Sequence, residues 1–323
     1  MKIKNVLVLG GSGFIGRQIV AELARRVINV TVPTRRRERA KHLITLPTVQ
    51  VQEADICAPG VLDRLAASHH AVINLVGILH GRRGRPNERG PNDYGPDFAR
   101  AHVEVAQAAI SACRAAGIRR LIHVSAIGAE SRAPSEYLRS KGIAEQAVLA
   151  AQDLDVTVFR PSVVFGPGDQ FLNRFARLVK LFPVIGIPSP DARFQPVYVG
   201  DVARAVVDVL DEPVTYGQRY DLGGPREYTM RELFEYVCQV TGRRRILFGL
   251  PDWMARTQAR FLEMSPVPIM SRDNLRSMEV PSVASEPFPF GTQPQSIEAI
   301  APTYLAPRGR RERLPELRWR ARR

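Results

Sequence analysis

The sequence predicts an α/β fold, in which a doubly wound, mostly parallel sheet is followed by a smaller α+β lobe. Short apolar runs alternate with helix-like segments over the first half of the chain, the pattern of a parallel sheet covered on both faces. A glycine-rich turn joins the first apolar run to the first helical segment. Beyond Gly168 the apolar runs shorten and proline becomes frequent, so a different architecture is expected there.

The composition is that of a globular protein. With 323 residues, 45% of them hydrophobic and 24% charged, the chain can build a full hydrophobic core and does not belong to the disordered class. Cys57, Cys113 and Cys238 form no CxxC or Cys/His cluster, which argues against a disulfide framework and a zinc site. No stretch reaches 18 apolar residues, and we interpret the N-terminal run as a strand rather than a signal peptide. A cytoplasmic protein is expected.

Six strands and several helices follow in order. The predicted strands are 5–10, 29–34, 49–55, 71–77, 121–128 and 155–168. The predicted helices are 13–26, 99–117, 229–242 and 251–264, with a further helix around Tyr137. We place the domains at 1–168, to which parts of 195–225 return, at 169–305 for the smaller lobe, and at 306–323 for a poorly ordered basic tail.

The glycine-rich turn GGSGFIG predicts a dinucleotide site in a Rossmann-type domain. Gly10, Gly13 and Gly16 follow a strand directly and open a helix, where glycine permits a tight turn and a close approach of the backbone to a pyrophosphate. The free N–H groups of the helix N-terminus favour the anion. We therefore expect Ser12, Phe14 and Ile15 to line the cofactor together with the glycines.

The residues after the second strand predict which dinucleotide is bound. The chain reads VPTRRRER, with no acidic residue before Glu38 to take a ribose 2′-hydroxyl. Arg35 and Arg36 offer charge-assisted hydrogen bonds to a 2′-phosphate instead. The alternative is a solvated basic loop in an arginine-rich protein. We expect NADP(H) to be preferred over NAD(H).

Tyr137 and Lys141 stand four residues apart in the stretch EYLRSK, so a helix places them on one face. A lysine ammonium beside a phenol lowers the tyrosine pKa and makes it a usable acid or base. Ser125, at the end of the fifth strand, would lie beside them, on the side of an open sheet where ligands bind. Alone, this spacing is common on ordinary surface helices. Because it follows a dinucleotide loop and a strand that ends in serine, we take Ser125, Tyr137 and Lys141 as a candidate catalytic set.

With these motifs the chain resembles the short-chain dehydrogenase/reductase superfamily, in particular its extended and atypical, epimerase/dehydratase-like branches. The resemblance rests on GGSGFIG, EADI, NLVG, YLRSK, RPSVVFGPGD and PVYVGDVA, and Leu9 departs from the threonine that is frequent there. It implies that Ser125, Tyr137 and Lys141 are catalytic. It further implies that the cofactor also touches Asp55, Ile56, Val76, Gly77, Tyr137, Lys141 and Pro161.

A narrower resemblance, carried by RPSVVFGPGDQFLNRFARL, YDLGGP and EMSPVPIMSRDNLRSMEV, is to the family of nucleotide-binding accessory subunits of mitochondrial respiratory complex I and their bacterial relatives. That resemblance implies tight NADP(H) binding without established turnover, and for some of the wider group a link to ubiquinone synthesis. His102 stands where catalytic extended members usually carry an asparagine of a proton relay. Histidine there is either a relay or a packed helix residue.

Two functions remain open from the sequence. One is an NADP(H)-dependent oxidoreductase or epimerase/dehydratase whose small-molecule or quinone-related substrate the sequence does not identify. The other is a catalytically idle, cofactor-loaded accessory or assembly protein with a respiratory-complex or membrane-surface partner, peripheral at the inner face of the membrane. The net charge of +14 gathers partly in the tail RGRRERLPELRWRARR, but no nucleic-acid motif accompanies it, which disfavours a nucleic-acid partner.

Two further segments carry alternatives. The insertion 80–98 is interpreted as a solvated loop, with an anion-receiving loop as the alternative. The segment PDWMARTQARFLEMSPVPIM, with Trp253, Met254, Phe261, Leu262 and Met264, is expected to pack into the smaller lobe. A docking face for a membrane or partner is the alternative reading of that segment.

Overall fold

A computed structural model describes residues 3–82, 93–263 and 270–306. The strands are β1 (Asn5–Leu9), β2 (Asn29–Thr34), β3 (Val49–Glu53), β4 (Ala71–Asn74), β5 (Arg120–Val124), β6 (Asp155–Pro161), β7 (Val164–Phe165), β8 (Val184–Ile187), β9 (Arg193–Phe194), β10 (Val197–Tyr198), β11 (Gln218–Leu222), β12 (Tyr228–Thr229) and β13 (Ile246–Gly249). The helices are α1 (Phe14–Arg25), α2 (Val61–Ala66), α3 (Pro96–Phe98), α4 (Val105–Ala115), α5 (Glu136–Leu149), α6 (Leu172–Leu181), α7 (Val199–Asp208), α8 (Met230–Val240), α9 (Asp252–Glu263), α10 (Arg272–Ser277), α11 (Ile297–Ile300) and α12 (Pro302–Leu305).

Seven parallel strands form the main sheet, in the order β11-β6-β5-β4-β1-β2-β3. The chain winds outward from β1 in one direction to β3 and in the other to β11, with helices between, so the predicted doubly wound α/β fold is confirmed. Apolar side chains of α1 and α7 pack on one face of the sheet, and those of α4 and α5 pack on the other. Because all strands are parallel, their carboxyl ends meet at one edge.

Three predicted strands end at least three residues earlier than expected. The runs 71–77, 121–128 and 155–168 leave the sheet after Asn74, Val124 and Pro161. Beyond these strand ends the chain forms loops at the carboxyl edge of the sheet, except that Val164–Phe165 becomes the short strand β7, which pairs with β10 outside the main sheet. The predicted helix 99–117 begins as a π-helical stretch, Ala99–Glu104, and continues as α4.

The smaller lobe has a core of its own. Aromatic and aliphatic side chains from α6, β8, β9 and α8 gather around the stacked pair Phe175 and Phe234, whose ring centroids lie 4.2 Å apart. Three two-stranded pairs accompany it: β10 with β7, β12 with β9, and β13 with β8. The basic tail beyond 306, the insertion residues 83–92 and the segment 264–269 lie outside the described residues. Among the residues described, no helix combines the length and apolarity that crossing a membrane requires.

Candidate active site

The glycine loop begins where β1 ends. Gly10 has a φ of +79°, a conformation that glycine adopts without strain. A Cβ at Gly16 would lie 2.6 Å from the Cα of Gly11, so the start of α1 packs against the loop as only glycine permits. The N-cap of α1 is Gly13, which has no side chain to cap the helix, and the first turn holds no acidic residue. The N-terminus of α1 is therefore open to an external anion.

Direct contacts connect this loop to the candidate catalytic lysine. A Cβ at Gly10 would lie 3.1 Å from the carbonyl carbon of Leu75, so the loop lies against the turn that follows β4. In that turn, a Cβ at Gly77 would lie 3.2 Å from Nζ of Lys141. The glycine loop, the turn after β4 and α5 thus form one continuous site at the carboxyl edge of the sheet.

Lys141 spans the ends of two neighbouring strands. Its buried ammonium donates hydrogen bonds to the carbonyl oxygens of Val124, at 2.9 Å, and Val76, at 3.2 Å. An ammonium has three donors, and the third has no acceptor among the residues that the structure describes. Burial lowers the pKa of Lys141 to about 8, with a smaller opposing effect of Glu145. The lysine is thus positioned by the protein and has a donor left for a ligand.

Ser125 directly follows β5, and its backbone N–H donates to the Phe159 carbonyl oxygen at 2.7 Å. The side chain is only 3% exposed, and within the described part of the chain its hydroxyl has no hydrogen-bond partner. A buried hydroxyl without a partner is costly and is typical of a position that a ligand completes. This is where the resemblance placed a catalytic serine.

Tyr137 lies in the first turn of α5, half-buried between aromatic rings. Its ring centroid is 5.6 Å from that of His102 and 6.5 Å from that of Phe98, both edge to face. Burial raises the pKa of Tyr137 to about 12. The sequence-based prediction of a tyrosine pKa lowered by Lys141 is therefore wrong for this structure. The lysine's ammonium is held by backbone carbonyls, and desolvation of the phenolate dominates.

His102 connects the turn after β4 to α5. Its Nε2 accepts the Ile78 backbone N–H at 3.0 Å, so the proton of the neutral ring lies on Nδ1, which donates to Oγ of Ser140 at 2.7 Å. Ser140 in turn donates to the Tyr137 carbonyl oxygen at 2.9 Å. Burial, together with the nearby Lys141, holds the pKa of His102 well below its usual value. The geometry favours the packed histidine over the proton relay, because both ring nitrogens are engaged.

A carboxylate from the smaller lobe caps the helix that carries Tyr137 and Lys141. Asp273, in α10, is 4% exposed and accepts the backbone N–H groups of Glu136, at 2.8 Å, and Tyr137, at 3.1 Å. Ser135 caps the same helix by accepting the Leu138 N–H. A negative charge at a helix N-terminus is favourable. Sequence reasoning missed Asp273, since nothing local indicates a partner some 136 residues away.

The predicted cofactor residues Arg35, Arg36, Asp55, Ile56 and Pro161 lie at or just beyond the carboxyl ends of parallel strands. Arg35 and Arg36 come after β2, are exposed, and have no ion-pair partner among the described residues. Asp55 follows β3, where its Oδ1 accepts the Cys57 N–H at 3.1 Å and its Oδ2 lies 3.4 Å from Arg100. Ile56 is half-buried beside Asp55, and Pro161 is the last residue of β6.

These features fit a dinucleotide. The uncapped N-terminus of α1 suits the pyrophosphate. Beside the ends of β4 and β5, the third donor of Lys141 and the unpartnered hydroxyl of Ser125 are available to the rest of a ligand. The exposed arginines after β2 lie at the strand end where an adenosine ribose is bound in this kind of fold. No competing carboxylate precedes Glu38 in that stretch.

Comparison with known proteins agrees with this geometry. Residues 6–223 match the family model described as the NAD dependent epimerase/dehydratase family. The chain is 28% identical, over 90% of its length and 77% of the relative, to the mitochondrial NADH dehydrogenase (ubiquinone) 1 alpha subcomplex subunit 9 of Mus musculus. It is 31% identical to the ceramide reductase of Caulobacter vibrioides, over 76% and 74% of the two chains.

Solved structures share the fold. A nucleoside-diphosphate-sugar epimerase from Staphylococcus aureus superposes with a TM-score of 0.68 over 91% of this chain and 98% of that one, at 18% identity. The chain therefore belongs to the NAD dependent epimerase/dehydratase family, within the extended short-chain dehydrogenases/reductases, and is homologous to the accessory subunits of complex I.

Proposed function

We propose that this member of the NAD dependent epimerase/dehydratase family binds NADP(H) at the carboxyl edge of its sheet and reduces a carbonyl group of a small-molecule substrate. The observation that carries the proposal is the continuous site from the glycine loop through Gly77 to Lys141, ending at the unpartnered hydroxyl of Ser125. The name of the Caulobacter relative, a reductase, supports the same reaction class.

Each side chain has a role in such a reaction. When bound, NADP(H) supplies the hydride. Lys141 donates its free N–H to the cofactor ribose, and Ser125 donates to the substrate oxygen. Tyr137 gives its phenolic proton to that oxygen as negative charge develops there.

The raised pKa of Tyr137 bears on its protonation state before the reaction. At neutral pH a phenol with a pKa of about 12 is almost entirely protonated, so it is ready to act as an acid. Oxidation of an alcohol would instead require the scarce phenolate as a base.

The preference for NADP(H) rests on Arg35 and Arg36. Both are exposed without ion-pair partners in the part of the chain that the structure describes, so neither must break a bond to receive a phosphate. The substitution Arg35→Asp removes one charge-assisted contact, worth ~1.5–3 kcal/mol, and adds a repulsive charge. We expect NADPH affinity to fall about tenfold to a hundredfold. Arg64→Asp, an exposed arginine on α2, is the matched control.

Calorimetric titration of both variants with NADPH and NADH measures this effect. Arg35→Asp should lose NADPH affinity and keep NADH affinity, whereas Arg64→Asp should keep both. Equal NADPH affinity in Arg35→Asp and the wild type would remove Arg35 from the phosphate site.

Turnover is tested by NADPH oxidation in a panel of carbonyl compounds, including ceramide-related ketones, quinones and sugar nucleotides. Tyr137→Phe should abolish activity while largely keeping NADPH affinity, because it removes only the proton-donating hydroxyl and leaves the ring and Lys141 in place. If the wild type oxidises NADPH with no member of the panel, the reductase proposal loses its support.

A second function is favoured by a different observation. The engaged nitrogens of His102 leave it no free position for a proton relay, and the mouse relative is a subunit of NADH dehydrogenase. In this alternative the chain is a cofactor-loaded accessory or assembly protein of a respiratory complex, or of ubiquinone synthesis, without turnover.

Assembly of the complex in cells distinguishes the two functions. An accessory protein should support assembly equally well with Tyr137→Phe and poorly with a variant that cannot bind cofactor, such as Gly16→Ala. An assembly yield unaffected by both substitutions, or absence of the chain from membrane fractions and pull-downs, would count against the accessory function.

A further inference from the structure

The smaller lobe carries an exposed apolar surface whose residues are not among those of the cofactor site. Large apolar side chains protrude from the end of α6, from the β8–β13 pair and from the start of α9. We call this set the apolar face; it consists of Leu181, Phe182, Val184, Ile246, Phe248, Trp253 and Met254. Trp253 is 69% exposed and Ile246 is 66% exposed. The expectation that Trp253 and Met254 pack into the lobe is therefore wrong; Phe261, Leu262 and Met264 lie outside the described side chains.

The pairing of the strands makes the face continuous. Ile246 lies opposite Val184 in the parallel pair, and the Ile246 N–H donates to the Pro183 carbonyl oxygen at 3.1 Å, next to Phe182. Phe248 projects from the same side of β13 as Ile246, because side chains alternate along a strand. The chain then turns directly into α9, which contributes Trp253 and Met254 and is fixed to the lobe through buried alanines at 255 and 259.

The surroundings of the face are strongly cationic. Residues 174–184 and 243–260 together contain eight Arg and Lys and one acidic residue, Asp252. Six of these cations are exposed and have no ion-pair partner among the described residues: Arg177, Lys180, Arg243, Arg244, Arg256 and Arg260. On α9, Arg256 and Arg260 share a helix face with Trp253.

We propose that this face docks the chain on the surface of an anionic lipid bilayer. Apolar and aromatic tips surrounded by unpaired arginines are the pattern of a surface that inserts shallowly while its cations meet lipid phosphates. A second copy of the chain does not fit, since two such faces would bring like charges together. The proposal does not depend on the cofactor site.

Vesicle flotation of the full chain tests the proposal. The chain should bind vesicles of phosphatidylcholine with 30% phosphatidylglycerol, bind pure phosphatidylcholine vesicles far more weakly, and lose binding at 0.5 M salt. Two double variants probe the face: Ile246→Ser with Trp253→Ala, and Arg243→Glu with Arg244→Glu. Each should weaken binding at least tenfold with an unchanged melting temperature, because all four side chains are exposed.

The matched control is Val214→Ser with Arg64→Glu, an exposed apolar residue and an exposed arginine outside the face. It should bind within twofold of the wild type, and the basic tail beyond 306 is identical in every variant. Failure of the wild type to float with anionic vesicles would overturn the proposal, as would equal binding by the face variants and the control. If the face variants kept their vesicle binding but lost binding to an acidic protein, the face would be assigned to a protein partner instead.

Fluorescence gives an independent measurement. The chain has two tryptophans, so Trp319→Phe leaves Trp253 as the single reporter. Its emission should shift to the blue with anionic vesicles and be quenched by brominated lipids. Unchanged emission in the presence of bound vesicles would place Trp253 outside the membrane contact and refute the proposed face.

Discussion

The substitution Asp273→Ala is expected to destabilise the chain strongly, because it removes the carboxylate that caps α5. Two backbone N–H groups, those of Glu136 and Tyr137, would lose their acceptor at a site where Asp273 is 4% exposed. A hydrogen bond to a charged group contributes ~1.5–3 kcal/mol, and the two share one carboxylate and are not additive. We therefore expect a loss of about 3 kcal/mol in the free energy of unfolding. Asp273→Asn keeps an acceptor and should lose roughly half as much.

Urea unfolding followed by circular dichroism measures these losses. The control is Asp153→Ala, which removes an ion pair with Arg114 that is open to solvent and should matter far less. Because α5 carries Tyr137 and Lys141, Asp273→Ala should also weaken NADPH binding, whereas Asp153→Ala should not. If Asp273→Ala is no less stable than Asp153→Ala, the cap does not hold the helix and the reasoning fails.

Three further substitutions test the site. Gly16→Ala places a Cβ 2.6 Å from the Cα of Gly11, so calorimetry should show at least a tenfold loss of NADPH affinity, and an unchanged affinity would contradict the loop packing. Burial lowers the pKa of Lys141 to about 8 in the folded chain, against 10.5 for the free side chain. Between these pH values the folded state loses its proton first, so the free energy of unfolding in urea should rise with pH. Lys141→Met should flatten that rise, and parallel pH profiles of variant and wild type would refute the buried charge. His102→Phe leaves the Ile78 N–H unpaired and should cost about 1–3 kcal/mol in urea unfolding; a neutral result would mean that the histidine does not connect the turn to α5.

The sheet was predictable because its signals are local. Each buried strand is a short apolar run, and the glycine loop follows β1 directly, so strand, turn and helix are read from neighbouring residues. The parallel arrangement then places Ser125, Gly77 and Asp55 at one edge without further information. The fold therefore followed from local signals, whereas Gly77 and Asp55 entered the predicted site through the family resemblance.

The chemistry inside the site was less predictable, because it depends on contacts across the chain. The spacing of Tyr137 and Lys141 is helical as expected, yet the lysine's hydrogen bonds go to the carbonyl oxygens of Val76 and Val124. The direction of the tyrosine pKa shift is set by burial, which the spacing does not encode. The Asp273 cap likewise joins segments far apart in sequence, and only the folded chain brings them together.

We propose above all that this chain binds NADP(H) in preference to NAD(H) at the carboxyl edge of its sheet. The most direct test is calorimetric titration of the nucleotide-free wild type with NADPH and NADH under identical conditions. We expect one site per chain, with NADPH bound at least tenfold more tightly than NADH, as follows from one charge-assisted phosphate contact. Equal affinities, or no binding of either dinucleotide, would contradict it.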